Sequence, residues 1–497
     1  MLYQMPVLTR ICQFHKGDNS MRKTKIVCTM GPACDDIETL VKMINAGMNV
    51  ARFNMSHGEY DAMTARFDRV KEAIKKSGKT VALLLDTKGP EIRVATFEGG
   101  STELEEGQEF RLYAPAGHGD NKGVSLSYPK LIEIFARDVR SVGRTILFDD
   151  GKIAAEVVKV ENDAIVTRVV KGGKLSNRKS INIPGYHINM PYISAVDRAD
   201  IEFGLKQGVN VIAASFVRSA DDVIKLRDYI DSLGYEDVEI ISKIENQSGV
   251  DDIDRIIEVS NGVMVARGDM GVEIPFIQLP KIQKMIIRKC VLAGKYVITA
   301  TQMLESMTTN IRPTRAEISD VANAVYDGTS AVMLSGESAA GMYPVQSVEA
   351  LRDICTAAEK NEELMLLRGA SATQTDMTAF RENICESAKT VAENIGAMAI
   401  IAESRTGAVA RAMARCRPNC PIIAVVTSEQ VCRKLCLSWG VYPVLGEEKQ
   451  TSDEITLQAV SKALETGIVK KGDTVIIISS NKTVPTSGTD TLNIRIV

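Results

Sequence analysis

No apolar run in this chain approaches the ~20 residues needed to cross a bilayer as a helix. The longest, TVALLLD and DTVIIISS, have the length of strands. Histidine is nearly missing: there are four in 497 residues, and His57 stands in no metal-ligand spacing. Nothing resembles a Ser-His-Asp arrangement, and no dinucleotide-binding glycine fingerprint occurs. Charge of one sign is missing too. The formal net charge is −3 with no long basic run, which argues against nucleic acid and against an anionic membrane as partners. The segment SGKT at 77–80 imitates a phosphate-binding loop. That pattern needs a glycine five residues before Gly78, where Ala73 stands, so Gly78 reads as a helix cap. Residues 1–20 lack an apolar core long enough for a secretory signal and are expected to form an extension outside the fold. Ten cysteines without secretory context are expected as reduced thiols in a cytoplasmic protein. Cys416/Cys420 and Cys432/Cys436 each form a CxxxC pair, a spacing that suits core thiols on a helix more often than zinc.

What is present is alternation. The short β-branched runs are KTKIVCT, NVARFN, TVALLLD, VNVIAAS, VEIISKI, GVMVARG, KYVITAT and SAVMLSG. Between most of them lie segments of helical period, such as DDIETLVKMINAG, which closes on Gly47. Eight strand–helix units predict a (β/α)8 TIM barrel. The spacing fails between Asp86 and Val209, where the pattern becomes that of strands and predicts an inserted all-β domain. The chain would enter it near Gly89-Pro90 and leave near Pro184-Gly185. After about residue 355, strands interleaved with helices predict a separate C-terminal α/β domain. The expected division is an extension at 1–20, a barrel from 21–87 and 186–355, an inserted β-barrel lid at 88–185, and an α/β regulatory domain at 356–497.

Nearly every predicted barrel strand ends in polar residues: Thr29; Asn54 and Ser56; Asp86; Ser215; Lys243 and Glu245; Asp269; Thr301; Ser335 and Glu337. Barrels of this kind build active sites at those ends. Ordinary polar loops would account for some of the set, less well for its carboxylates and lysine. In ISKIEN, Lys243 and Glu245 are two apart and face one way along a strand. Such a pair is costly to bury unless something else occupies the site. Glu245 and Asp269, on neighbouring strands, suit a hard divalent cation such as magnesium, with Lys243 beside them for an anionic oxygen. Asn54, Ser56, Asp86 and Thr87 set one carboxylate among neutral oxygens, a composition nearer to a monovalent-cation site. Arg52 and Arg93 stand near the same mouth, either to grip phosphate oxygens or as surface arginines. The same Lys, Glu and Asp would also serve a barrel lyase that stabilises an enolate on magnesium.

The strings KTKIVCTMGPA, ARFNMSHG, LLLDTKGPEIR, ISKIEN, VARGDMGVEIP, ITATQMLESM, RPTRAEISDVANAVYDGTSAVMLSGE and CRPNCPIIAVVT closely resemble the pyruvate kinase family, in its order, from about Arg22 to Val497. The resemblance implies phosphoryl transfer from phosphoenolpyruvate to ADP, giving pyruvate and ATP, with magnesium (or manganese) and potassium as cofactors. It implies magnesium on Glu245 and Asp269, and Lys243 on the phosphoryl group in flight. It also implies potassium on Asn54, Ser56, Asp86 and Thr87, with Glu91 the variant associated with potassium dependence. Arg52 and Arg93 would hold phosphates. The amides of Gly268 and Asp269 would receive the substrate carboxylate, and Thr301, with Ser335 and Glu337, would protonate the enolate. Pro32, Arg52, Asn54, His57, Arg93, Asp150 and Lys179 would line the nucleotide site. A sugar-phosphate or nucleotide effector would meet Glu403, Ser404, Arg405, Thr406 and Gly407. That loop departs from the family pattern, with an acid at Glu403 and Arg405 in place of glycine. A homotetramer is expected by resemblance.

Overall fold

The eight predicted barrel strands form: β1 (Lys25–Thr29), β2 (Val50–Asn54), β3 (Ala82–Asp86), β4 (Val211–Ala214), β5 (Glu239–Ile244), β6 (Gly262–Ala266), β7 (Tyr296–Ala300) and β8 (Ala331–Leu334). The computed structural model describes residues 21–56, 58–114, 117, 119–186, 188–361, 377–479 and 491–497. The strands pair in chain order, all parallel, and β8 closes on β1. Covered on both faces, they are buried almost throughout rather than alternating between buried and exposed. Their outward side chains, among them Ile26, Phe53, Leu85 and Val265, pack under the surrounding helices. The lumen is filled by Val27, Val50, Leu84, Ile241, Met264, Ile298 and Met333, and its floor is completed by Cys436 and Leu437 from the last domain.

Helix boundaries follow local chemistry. Thr314 caps Arg315–Tyr326 through a reciprocal box with Glu317. Gly78 ends Tyr60–Ser77 at φ 66°, its N–H donating to Ile74 O, so SGKT is a helix terminus.

The insert after β3 is a seven-stranded sheet from Ile92–Arg93 to Gly123–Ser125, with a two-stranded sheet of Ser101–Leu104 and Gly173–Ser176 beside it. A bridge between Val94 and Leu126 joins the flanks of its two edge strands, curling the sheet on itself. One helix, Lys130–Arg137, interrupts the expected all-β pattern; its Leu131, Ile132 and Phe135 fall on one face and enter the insert's core. The two crossings differ. Gly89 (φ 73°) is wedged against β4, where a Cβ would lie 2.7 Å from Ser215 O, and its N–H donates to Asp197. Gly185 (φ 68°) has open space around it.

The C-terminal sheet comprises β9 (Ala399–Glu403), β10 (Ile422–Val426), β11 (Val441–Leu445), β12 (Thr474–Ser479) and β13 (Thr491–Ile496). Its order is β11-β10-β9-β12-β13, parallel except for β13. Cys416, Cys432 and Cys436 are buried, and the thiols of Cys416 and Cys436 donate to carbonyls one helical turn back. Among the described residues no helix is long and apolar enough to cross a membrane.

Lys25 is buried where β1 meets this domain. Its Nζ donates to Val441 O at 2.6 Å and faces the Tyr442 ring. Burial, aided by the Arg22 charge and opposed by Cys436 and Glu359, lowers its pKa to about 7. Between that value and the ordinary lysine range the folded chain binds fewer protons than the unfolded one, so stability rises with pH across the window. Lys25→Met is expected to flatten the Tm–pH profile by up to about 2 kcal/mol of stability between pH 7 and 9. Parallel profiles for the two proteins would refute this.

Candidate active site

At the C-terminal mouth of the barrel, β2, β3, β4 and β5 bring Arg52, Asp86, Ser215, Lys243 and Glu245 into one buried network. Lys243 Nζ lies 3.0 Å from Asp86 Oδ1 and 3.0 Å from Glu245 Oε1, and donates to Ser215 Oγ at 2.7 Å. Arg52 donates from Nε to Asp86 Oδ2 at 2.6 Å and from Nη1 to Thr29 Oγ1 at 2.7 Å. The lysine–glutamate face of ISKIEN is therefore real, and it is buried. Arg52 is no surface arginine: it is 7% exposed. Arg93 is half-exposed, paired with Glu91 and bonded to Arg178 O.

The carboxylates differ in environment. Burial would push the Asp86 carboxyl up, but the Arg52 and Lys243 charges outweigh it and hold it below the usual range. Burial raises Glu245 to about 7; Lys243 opposes the shift and Asp269 adds to it. The reason is that Lys243 shares its charge between two carboxylates, while Arg52 serves only Asp86. With Asp269, which stands in the first turn of the helix Arg267–Glu273 rather than on β6 itself, the mouth holds three carboxylates against two cations. Phe216, at φ 53°, turns its N–H onto Glu245 Oε2 at 2.5 Å.

Thr301, just after β7, has φ 68°, a conformation a β-branched residue rarely adopts. Arg267 holds it there. Its Nη2 donates to Thr301 O at 2.6 Å and its Nε to Ala300 O at 3.2 Å, while Asp320 anchors Nη1. Gly268 N–H donates to Thr301 Oγ1 at 2.9 Å, joining two of the expected substrate residues. Glu337, fully buried, accepts the amides of Leu304 and Ser335. No direct hydrogen bond links Ser335 or Glu337 to Thr301 among the described residues.

Around this centre the remaining expected residues are distributed. Asn54 Oδ1 accepts from Ser56 N–H, and Thr87 O accepts from Ser215 Oγ. Pro32 lies exposed in a short turn at the mouth. Asp150 and Lys179 sit on the insert, where Lys179 pairs with Asp149 and Asp150 bonds with Ser180. His57 lies outside the described residues. Glu403 ends β9 and Ser404–Gly407 lead from it into the next helix, far along the chain from the mouth; Ser404 N–H donates to Val425 O, and Thr406 O accepts from Arg411. Sequence reasoning gave Ser215 no role beyond a polar strand end and overlooked Arg267. The argininyl clamp on a left-handed threonine has no sequence signature beyond its place after β6.

A parallel barrel with this buried cluster of charged side chains at its C-terminal mouth has the arrangement of a barrel enzyme's active site. Residues 21–348 match the family model "Pyruvate kinase, barrel domain", and residues 382–495 match "Pyruvate kinase, alpha/beta domain". A pyruvate kinase of Geobacillus stearothermophilus is 46% identical over 96% of this chain and 80% of its own length. One of Clostridium acetobutylicum is 43% identical over 96% of this chain and its entire length. The crystal structure of a pyruvate kinase from Cryptosporidium parvum superposes with a TM-score of 0.87 over 97% of each chain, at 36% identity. The chain belongs to the pyruvate kinase family. It transfers a phosphoryl group from phosphoenolpyruvate to ADP, giving pyruvate and ATP, and shares the family's requirement for a divalent metal.

Proposed function

We propose that Glu245 and Asp269 hold magnesium (manganese serving in its place), and that Lys243 is the residue on the transferring phosphoryl group. The observation that carries this is the surplus of one carboxylate over cations at the mouth, where Glu245 Oε1 has to share the Lys243 ammonium with Asp86. Two carboxylates suit a hard cation whose coordination is completed by substrate oxygens and water. Bound there, the metal supplies positive charge against phosphoryl and enolate oxygens.

The chain's own groups supply positioning. Lys243, fixed between Asp86, Glu245 and Ser215, presents its ammonium to the phosphoryl oxygens without reorganising during transfer. Arg52, locked by Asp86 and Thr29, and Arg93 orient phosphates. The hydroxyl of Thr301 stands where the enolate carbon takes up its proton, with Ser335 and Glu337 behind it. Gly268 and Asp269 receive the substrate carboxylate. Asn54, Ser56, Asp86 and Thr87 offer one carboxylate and neutral oxygens, a set fitted to potassium, with Glu91 nearby favouring that dependence. Pro32, His57, Asp150 and Lys179 complete the nucleotide site. The insert, residues 88–185, closes over the mouth and excludes water that would hydrolyse the phosphoryl group. The open space at Gly185 favours motion there, pivoting about the pinned Gly89. In this reading the protein is a cytoplasmic homotetramer at the last step of glycolysis, with an effector at Glu403–Gly407; residues 1–20 lie outside the described residues.

The test is pyruvate formation from phosphoenolpyruvate and ADP with magnesium, in potassium and in a large inert cation. A rate at least roughly tenfold higher in potassium is expected, the scale of one ion's transition-state contribution of about 1.4 kcal/mol. Equal rates in the two salts would remove the potassium assignment.

A further inference from the structure

At the opposite end of the barrel from the catalytic mouth, β7 and the start of β5 face the helix Ala408–Cys416 and the turn before β11. Between them lies a cavity of about 30 Å³ lined by Lys295, Arg411, Arg415, Arg417, Ser438 and Trp439, among others. Several of the donor atoms on its walls find no acceptor among the described residues. Arg417 is 8% exposed; its Nη2 donates to Gly328 O at 2.7 Å, but its Nη1 is buried without a partner. Ser438 Oγ and Trp439 Nε1, on residues 2% and 4% exposed, are likewise buried and unpartnered. Arg411 Nη1 makes no hydrogen bond and stands 3.8 Å from Glu239 Oε1.

Charge points the same way. Arg415 is paired with Glu382. Glu239, the barrel's carboxylate here, accepts both of its hydrogen bonds from Tyr296 and is the nearest counter-charge to Arg411. Lys295 donates only to the carbonyls of Glu258 and Ser260. Among the described residues no carboxylate lies within ion-pair distance of Arg417, whose guanidinium stacks 4.4 Å from the Trp439 ring. Glu359, which accepts the amides of Lys23 and Thr24, offsets the Arg417 charge only from beyond ion-pair distance, so the cations of the seam are incompletely neutralised. Burial draws Arg417 down only to about 9, so it is still charged at neutral pH. Each unmet buried donor is costly, and an unpaired buried charge more so. Water would satisfy the donors and leave the charge. An anion meets both demands.

We propose that this seam binds a tetrahedral oxyanion, phosphate itself or the phosphate group of a small ester, between the barrel and the C-terminal domain. The space is roughly twice what one water needs and opens to solvent beside Gly294 and Lys295, so a tetrahedral anion would seat there with part of its oxygens toward the open side. Unpartnered donors of Arg417, Ser438 and Trp439 all belong to its lining, as separate oxygens of one group would require. The site is distinct from the loop at Glu403–Gly407 and does not rest on the metal or potassium assignments.

Trp439 is the only tryptophan in the chain, so its fluorescence reports this seam alone. Inorganic phosphate and glycerol 1-phosphate are titrated into the full-length protein at constant ionic strength, with chloride as the balancing ion. A saturable change in Trp439 emission is expected. Arg417→Gln should weaken the apparent Kd roughly tenfold or more, the scale of one charge-assisted hydrogen bond. Ser438→Ala, a milder change that keeps the fold if Arg417→Gln does not, should weaken it by about threefold, the scale of a neutral hydrogen bond. Tighter binding of the ester assigns the site to a phosphorylated metabolite, and tighter binding of phosphate assigns it to the free ion. No saturable change with either probe, or an unchanged Kd in Ser438→Ala, overturns the proposal.

Discussion

Lys243→Met is expected to lower kcat by about 10²- to 10³-fold, the measured scale for removing one preorganised charge-stabilising donor, with a smaller change in KM for phosphoenolpyruvate. Lys243 touches Asp86, Ser215 and Glu245, all buried, and is the only lysine in that network. Methionine keeps most of the stem's volume while removing the ammonium. Asp86 keeps Arg52. Glu245 keeps only the Phe216 amide, and a lone buried charge costs about 3–5 kcal/mol when its partner is removed. Part of that cost is avoided because the carboxyl, already at about 7, can hold its proton. A lower Tm in a folded protein is therefore expected alongside the kinetic loss. A kcat within tenfold of the parent, with substrate saturation unchanged, would take Lys243 out of the transfer step.

Glu245→Gln separates the metal role from the lysine's. Gln keeps an oxygen for the Phe216 N–H, and Lys243 retains Asp86 and Ser215, so folding stability should stay within about 1 kcal/mol of the parent, the scale of one hydrogen bond. Activation by divalent cation should weaken more than 100-fold, since losing even a group that supports a ligand typically costs 10–100-fold. Titrating manganese by its paramagnetic effect on water relaxation reads the affinity without turnover. An affinity equal to the parent's would place the cation elsewhere.

Much of this was legible before any coordinates. Barrel strands buried on both faces leave unbroken apolar runs, and each must end where its polar side chains meet the mouth, so VEIISKI and GVMVARG marked both a strand and a site. The lysine–glutamate spacing in ISKIEN carried real geometric information, because period two survives to the strand's last residue. The helix Lys130–Arg137 was hidden because eight residues give barely two turns of period among neighbouring strands. The burial of Arg52 could not be read from its own segment, since Asp86 and Thr29 reach it from other strands. Ser215 and Arg267 escaped for a similar reason. Their importance lies in which carbonyls and carboxylates they meet across the mouth, a property of closure rather than of local pattern.

The floor of the barrel carries a consequence for how the molecule is made. Cys436 and Leu437 seal the lumen from below, yet they are synthesised long after Leu334 completes the last staves. A nascent chain that has emitted all eight strands still has an open apolar well at its base. The catalytic mouth at the other end is built on those same strands, so the final domain supports it from below. Chains released early would present that well to solvent, and quality control would meet them as sticky, half-finished cylinders rather than as active fragments.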